Sequence, residues 1–270
     1  MKRILRKIPG YDFGKKAYFS LTIVKNRIRN LLNPTARILL YHRIADIQND
    51  PHLLAVSPEN FNNQLKFLKE NFKIISLAQL IQDIKTKRIQ NDSIVITFDD
   101  GYADNLYNAL PILEKHGIPA TIFITTGKID DDSPFFWEEG AMEKDRGRCL
   151  NQEELTRLSS SKFIEIGAHT VNHPRLSMIS IEEQTKEIAK SRQTLNRLLN
   201  MPINSFAYPF GGKGTFNEAT MTLVRKNGFN YACANIHKRV TKKTQLYTLP
   251  RFVVRNWDVK NLEQEMNKWL

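Results

Sequence analysis

An α/β fold built on a largely parallel sheet, open or closed into a barrel, is what this sequence predicts. Three observations predict it. From about residue 36 to the end, short apolar runs alternate with longer stretches of helical period, the signature of repeated strand–helix units. A length of 270 residues with 41% hydrophobic content suits one large domain with a sizeable core. The polar residues capable of chemistry stand at the ends of the apolar runs, where folds of this kind bind ligands.

The elements follow in order. Arg37–Ile44 reads as a buried strand, and Pro58 starts a helix with Phe61, Leu65, Leu68 and Phe72 on one face. Lys73–Ile75 is a brief strand, Leu77–Lys85 a helix, and Ile94–Phe98 a buried strand that ends at Asp99. Ala103–Lys115 is helical, with Pro111 expected to kink or break it because proline has no N–H to give. Ala120–Thr125 is a strand, followed by a loop and helix around Trp137–Lys144, a helix over Glu153–Ser160 and a strand over Phe163–Gly167. Helix Ile181–Leu199, strand Ser205–Tyr208, helix Phe216–Lys226 and strand Asn230–Ala234 continue the alternation. Leu249–Val254 is the last strand and Val259–Leu270 the last helix. His42, Asp99–Asp100, His169 and Tyr208–Pro209 therefore converge on one rim from distant parts of the chain. Cys149 and Cys233 lie far apart and form no CxxC pair, so they read as reduced thiols.

The net charge of +12 is unevenly placed. Residues 1–37 hold ten Lys/Arg and one acid, whereas the remainder holds 30 basic and 27 acidic residues. A nearly balanced body argues against nucleic acid as a partner, which wants a basic face on the domain itself. The apolar run Ala17–Val24 contains Ser20 and Thr22 and is followed by Lys25, Arg27 and Arg29, so neither a secretory signal nor a membrane span is expected. Leu21, Val24, Ile28 and Leu31 recur at helical spacing among those bases. Residues 1–35 thus read as a basic amphipathic segment able to lie on an anionic membrane surface, or to pack on the domain with a solvated basic face. Residues 36–270 form the catalytic domain. The expected location is cytoplasmic, peripheral on the inner face of the membrane.

Thr97-Phe98-Asp99-Asp100-Gly101 places two carboxylates in the turn after an apolar strand, with Gly101 freeing the backbone. Adjacent carboxylates repel, and one pKa rises unless a cation neutralises them. A metal resolves the conflict if one Asp binds it and the other stays free as a base; a helix cap with a solvated acid is the bland alternative. His169-Thr170-Val171-Asn172-His173 supplies His-x3-His after a second strand, a spacing that lets two imidazoles reach one ion. Two histidines and one carboxylate around an open position is the usual make-up of a hydrolytic zinc site.

These two motifs resemble those of the polysaccharide deacetylase family, carbohydrate esterase family 4, which carries TFDDG and H-(S/T)-x3-H. The resemblance runs from about residue 36 to the end. It implies a distorted (β/α) barrel of about seven parallel strands. It also implies that Asp100, His169 and His173 bind a divalent metal, Zn2+ first and Co2+, Ni2+ or Mn2+ as alternatives, with Asp99 as the catalytic base. Two features depart from the family's commonest form. Its Arg-x-Pro-aromatic motif stands here as Ala207-Tyr208-Pro209-Phe210, which keeps the pocket-wall proline and aromatic and loses the arginine. Arg251 is the candidate replacement to hold Asp99, with ion pairing elsewhere as its alternative. The C-terminal Leu-x-His that carries the catalytic acid is absent, yet Leu40-Tyr41-His42 ends the first strand. First and last strands of a closed barrel are neighbours, so His42 is the candidate acid and His237 the reserve.

The implied activity is metal-dependent removal of N-acetyl groups from an amino sugar in a glycan or a lipid-linked glycan precursor. Bound metal would acidify water, Asp99 would take the proton, the metal and the Phe210 N–H would stabilise the oxyanion, and His42 would protonate the leaving amine. Tyr102, Trp137 and Tyr208 could stack on a sugar, although core packing is the commoner role of such residues. Two other readings keep the same site: a deformylase or O-acetyl esterase on a lipid-linked sugar, and a non-catalytic glycan-binding relative.

Overall fold

The structure, a computed structural model, describes residues 34–269 except 140, 141, 143 and 144. Nearly all of the basic segment 1–35 therefore lies outside the described residues, and the expectations placed on it do too. Among the described residues no helix is long and apolar enough to cross a membrane.

The chain begins with β1 (Ala36–Tyr41), β2 (Arg43–Ile44) and β3 (Ala55–Val56), then α1 (Pro58–Asn71), β4 (Lys73–Ile74), α2 (Leu77–Lys85) and β5 (Ser93–Phe98). A π-helical turn, Asn105–Ala109, runs directly into α3 (Leu110–His116). The expected break at Pro111 takes this form. Pro111 sits in the first turn of α3, where its missing N–H is not needed, and the Leu110 N–H reaches back five residues to the Asn105 carbonyl. β6 (Ala120–Ile124), α4 (Gln152–Ser159), β7 (Ile164–Ala168), α5 (Ile181–Leu199), β8 (Ser205–Ala207), α6 (Glu218–Lys226) and β9 (Tyr231–Ala234) continue the alternation. β10 (Leu249–Pro250), β11 (Phe252–Val253) and α7 (Val259–Lys268) complete it. Of the stretch around Trp137–Lys144 expected to hold a helix, residues 140, 141, 143 and 144 lie outside the described residues, and Phe136–Glu138 forms a 3-10 turn.

Helix starts follow from local chemistry. Ser57, Ser76, Ser180 and Asp258 each accept a backbone N–H three residues on, and Asn151 with Glu154 forms a reciprocal capping box at the head of α4.

Nine of the strands form one parallel sheet in the order β10-β9-β8-β7-β6-β5-β1-β11, with β4 added to the N-terminal half of β5, while β2 and β3 pair with each other apart from it. β10 and β11 are the two halves of the segment expected as one strand. Leu249 and Pro250 pair with Cys233 and Ala234 of β9, whereas Phe252 and Val253 pair with Leu39 and Leu40 of β1. The segment changes partner at Arg251 and so joins the two ends of the sheet. Eight strands thus close almost fully into a barrel; with β10 and β11 counted as the single stave the sequence suggests, the wall has the expected seven.

Every residue of β1, β5 and β6 is buried, as a parallel sheet covered on both faces requires. Alternate side chains divide between two cores. Ile38, Val95, Phe123, Ala207, Cys233 and Leu249 share an inner cluster with Leu77, Leu80, Ile81 and Ile84 of α2. Leu39, Ile96 and Ile122 belong to an outer cluster with Phe61, Leu65 and Leu68 of α1. The carboxyl ends of the strands are left to carry polar residues.

Candidate active site

At the end of β5 the backbone turns through two left-handed residues, Asp100 (φ 75°) and Gly101 (φ 83°). Gly101 suits its place twice over: that φ penalises a side chain, and an added Cβ would come within 3.0 Å of the Ile124 side chain. The turn lets both carboxylates, each 2% exposed, face one cavity. Their surroundings differ. Asp99 receives both terminal nitrogens of Arg251, Nη1 to Oδ1 and Nη2 to Oδ2 at 2.7 Å each, and its backbone N–H bonds the Tyr41 carbonyl. Burial alone would raise the Asp99 pKa, but the facing charge and hydrogen bonds of Arg251, aided by His169, bring it down to about 2. Asp100 has no such partner. Burial first, then the charges of Asp99 and Glu138, push its pKa well above the carboxylate range.

Arg251 stands at the barrel's seam with 0% exposure. Its Nη2 also donates to Asn235 Oδ1 at 2.9 Å, and the Asn235 amide donates to the Phe210 carbonyl at 2.7 Å. Asn235 thereby ties the carboxylate clasp to the opposite wall. The sequence offered one signal for it, a polar residue directly after β9, and sequence reasoning missed it.

His169 follows β7. Its Nδ1 lies 2.8 Å from the Ala207 carbonyl, which can only accept, so Nδ1 carries the proton and Nε2 presents its lone pair. That Nε2 and the Nε2 of His173 each lie 3.5 Å from Asp100 Oδ1. Thr170 and His173 are left-handed (φ 64° and 57°), which curls the loop so that both rings point inward. Glu187 of α5 holds the loop from outside: Oε2 accepts the N–H groups of Val171 and Asn172 at 2.8 Å, and Oε1 accepts the Asn172 amide at 2.7 Å. Burial lowers the pKa of both His169 and His173, favouring neutral rings.

One donor atom each from Asp100, His169 and His173 lies within 4.8 Å of the others. The set fits a divalent cation: two neutral imidazoles, and one buried carboxylate that only a positive charge would keep ionised.

The cavity above these groups measures about 390 Å³. His42, Asp99, Asp100, Trp137, His169, His173 and Phe210 all line it, so most of the candidate residues meet there. Trp137 and Phe210 flank His173, each with its ring centre 4.8 Å away. His42 has a buried Nδ1 without a hydrogen-bond partner, and burial lowers its pKa to about 4 against the opposing pull of Asp99. His237, the reserve acid, is exposed and borders a separate cavity beside Lys238 and Trp269. Arg175 and Arg255 also line the catalytic cavity; the Arg175 guanidinium sits 4.2 Å over the Phe210 ring.

Three expected substrate contacts need correction. Tyr208 is fully buried, stacks on Phe216 at 4.0 Å and donates its hydroxyl to the Tyr247 carbonyl. Strand alternation explains it: Phe206 and Tyr208 face the outer core, Ala207 the inner one. Pro209 is buried behind the wall and serves the turn, its carbonyl accepting the Gly211 N–H at 2.7 Å. Tyr102 is also fully buried, beneath the Arg43 guanidinium, with Trp137 Nε1 donating to its hydroxyl at 3.2 Å. It supports Trp137 and does not border the cavity.

Comparison with known proteins places this architecture. Residues 86–232 match the family model described as polysaccharide deacetylase. The poly-beta-1,6-N-acetyl-D-glucosamine N-deacetylase of Staphylococcus aureus is 28% identical over 209 residues, 74% of this chain and 68% of that protein. A protein of Bacillus subtilis (strain 168) classed with the polysaccharide deacetylases is 26% identical over 219 residues, 79% of this chain and 69% of its own length. Among solved structures, a Streptococcus pyogenes deacetylase in complex with acetate superposes with a TM-score of 0.72 at 24% identity, covering 87% of this chain and 99% of that one; at this identity the likeness speaks for the fold. With more than half of its length matched by the family model, and with that fold, the chain belongs to the polysaccharide deacetylase family of carbohydrate esterases.

Proposed function

We propose that this chain is a metal-dependent hydrolase that removes N-acetyl groups from amino sugars of a polysaccharide. The observation that carries the reading is the pairing of a clasped carboxylate, Asp99 on Arg251, with a neighbouring Asp100–His169–His173 cluster in one cavity. The donor set suits zinc. Asp100, His169 and His173 would hold the cation, which when bound acidifies water and polarises a carbonyl. The curated Staphylococcus aureus relative is named for poly-beta-1,6-N-acetyl-D-glucosamine, and an N-acetylhexosamine polymer is the substrate class we assign.

This chain's own residues then divide the work. Asp99 takes a proton from the attacking water. A carboxylate held near 2 does so only if the water is acidified, so the clasp and the cation site are complementary. Arg251 fixes the direction of the Asp99 carboxylate. The Phe210 N–H, in a left-handed residue (φ 61°) at the cavity wall, is assigned to the developing oxyanion. His42 delivers a proton to the leaving amine. Its ring is neutral at rest, so it receives from Asp99 the proton taken from the water and passes it to the amine, which leaves Asp99 ionised and His42 neutral again.

The test is Asp99→Asn. It should lower acetate release from N-acetylglucosamine oligomers by about a thousandfold, the scale of a lost general base, with metal content unchanged by mass spectrometry. Turnover at the parent rate would sink the reading. Formate or ester-derived acetate released faster than amide-derived acetate from matched substrates would redirect it to a deformylase or an O-acetyl esterase.

A further inference from the structure

A second cavity, about 220 Å³, adjoins the catalytic one and shares His52, Leu54 and Trp137 with it. The two are compartments of one groove. Their charges differ. Arg175 and Arg255 line the catalytic compartment with Asp99 and Asp100, whose charges Arg251 and a bound cation would offset, whereas Asp50, Glu138, Glu139 and Asp145 line the second, opposed by Arg43. Arg43 is already engaged: Nε donates to Asp104 at 3.0 Å, and Nη1 to Glu138 Oε1 at 3.2 Å and to the Asp145 carbonyl at 2.8 Å. Asp50 spends both carboxylate oxygens on the N–H groups of Leu54 and Ala55. Glu138 and Asp145 are 8% and 5% exposed, and each keeps one buried carboxylate oxygen, Oε2 and Oδ2, without a hydrogen-bond partner among the described residues.

A buried acceptor left unpaired is costly and calls for a donor. A bare metal ion is a poor candidate, because among the described residues only Asp100, His169 and His173 bring three such ligand atoms together. An N-acetylated sugar offers neutral donors only. A hexosamine that has lost its acetyl group offers an ammonium, with three N–H donors and a full positive charge. We propose that the second compartment is a subsite for the ammonium of an already deacetylated hexosamine unit, next to the unit under attack. The assignment rests on the N-deacetylase reading above, since it takes the product of that reaction as its ligand. The arginines of the catalytic compartment repel the same ammonium, so the groove sorts acetylated from deacetylated units, and the enzyme works best on a polymer it has begun to modify.

The experiment compares two β-1,6-linked trisaccharides, tri-N-acetylglucosamine and the same trimer carrying one terminal glucosamine. Binding is measured by calorimetry on the Asp99→Asn protein, which does not consume them. The amine-bearing trimer should bind about tenfold more tightly, the scale of one charge-assisted contact. Glu138→Gln with Asp145→Asn in the same background should erase the difference. In the otherwise unaltered enzyme Asp145→Asn should raise KM more for the amine-bearing trimer than for the fully acetylated one. If the double variant does not fold, Asp145→Asn alone, which spares the Arg43–Glu138 pair, should still shrink the preference. Equal affinity for the two trimers, or a preference undiminished by these substitutions, overturns the proposal. Absence of acetate release from any trimer would instead overturn the deacetylase reading, while the binding comparison still decides the subsite.

Discussion

Asp99 and Asp100 are chain neighbours with equal burial, yet one is held near 2 and the other is pushed well up. The difference comes from a residue about 150 positions away, Arg251, whose guanidinium meets Asp99 edge-on and leaves Asp100 to the candidate cation site with His169 and His173. Replacing Arg251 with Met leaves the Asp99 charge buried and unpaired. Breaking such a pair costs roughly 3–5 kcal/mol, to be read from urea unfolding with metal present. The same substitution should move the acid limb of the pH–rate profile. The proposed base Asp99 works only when deprotonated, and a pKa near 2 keeps it so at low pH. Without Arg251 burial dominates, the pKa rises, and activity should fall away at a higher pH than in the parent. An unmoved limb would mean that Arg251 does not tune Asp99. The Thr97–Gly101 and His169–His173 motifs were legible because their members are adjacent in sequence. Asn235 and the burial of Tyr208 were not, because both depend on which way a side chain leaves its strand.

Strand-end turns set the geometry, and neighbouring helices hold the turns. Glu187, on α5, accepts three N–H groups from the loop that carries His173. Glu187→Ala should leave the fold intact and weaken metal binding about 10–100-fold, the usual effect of losing an outer support, as measured by competition with a chromogenic chelator. The α4 terminus supplies an acid-sensitive device. The Glu154 carboxylate receives Arg148, the Tyr107 hydroxyl and the Asn151 N–H, and these bring its pKa from 4.5 down to about 2. The unfolded chain takes up that proton first as pH falls. The stabilisation is therefore complete above about 4.5 and gone near 2. Comparing melting temperatures of the parent and Glu154→Gln should show a gap at pH 6 that closes across that window. Element types were read well from apolar period and caps, with Leu77–Lys85 and Ile181–Leu199 matching residue for residue. The last strand was not, because its division into β10 and β11 reflects a change of partner at Arg251, which has no local signal.

Over the whole molecule, barrel closure and site assembly are one event. The segment that seals β9 to β1 carries Arg251 between its two halves, and His42 leaves β1 on the far side of that seam. Without a cation, folding must bury Asp100 as a protonated carboxyl, which the unfolded chain at neutral pH has already released. The metal-free protein should therefore lose stability as pH rises through the Asp100 pKa. Metal binding requires the ionised form and should strengthen over the same range. Chelation should abolish activity and lower the melting temperature, with the metal-dependent gap wider at pH 8 than at pH 5 and zinc restoring both. A gap that narrows with pH would contradict the assignment of Asp100 as ligand. What the sequence by itself determined was the alternation of elements, the parallel sheet and the two local motifs, because these are written in apolar period, capping residues and near neighbours. Only the tertiary structure decided that Arg251 clasps Asp99, that Asn235 links that clasp to the Phe210 wall, and that Tyr102, Tyr208 and Pro209 stand outside the cavity. Those facts depend on how a closed barrel brings remote strand ends together and on which side chains its alternation turns inward.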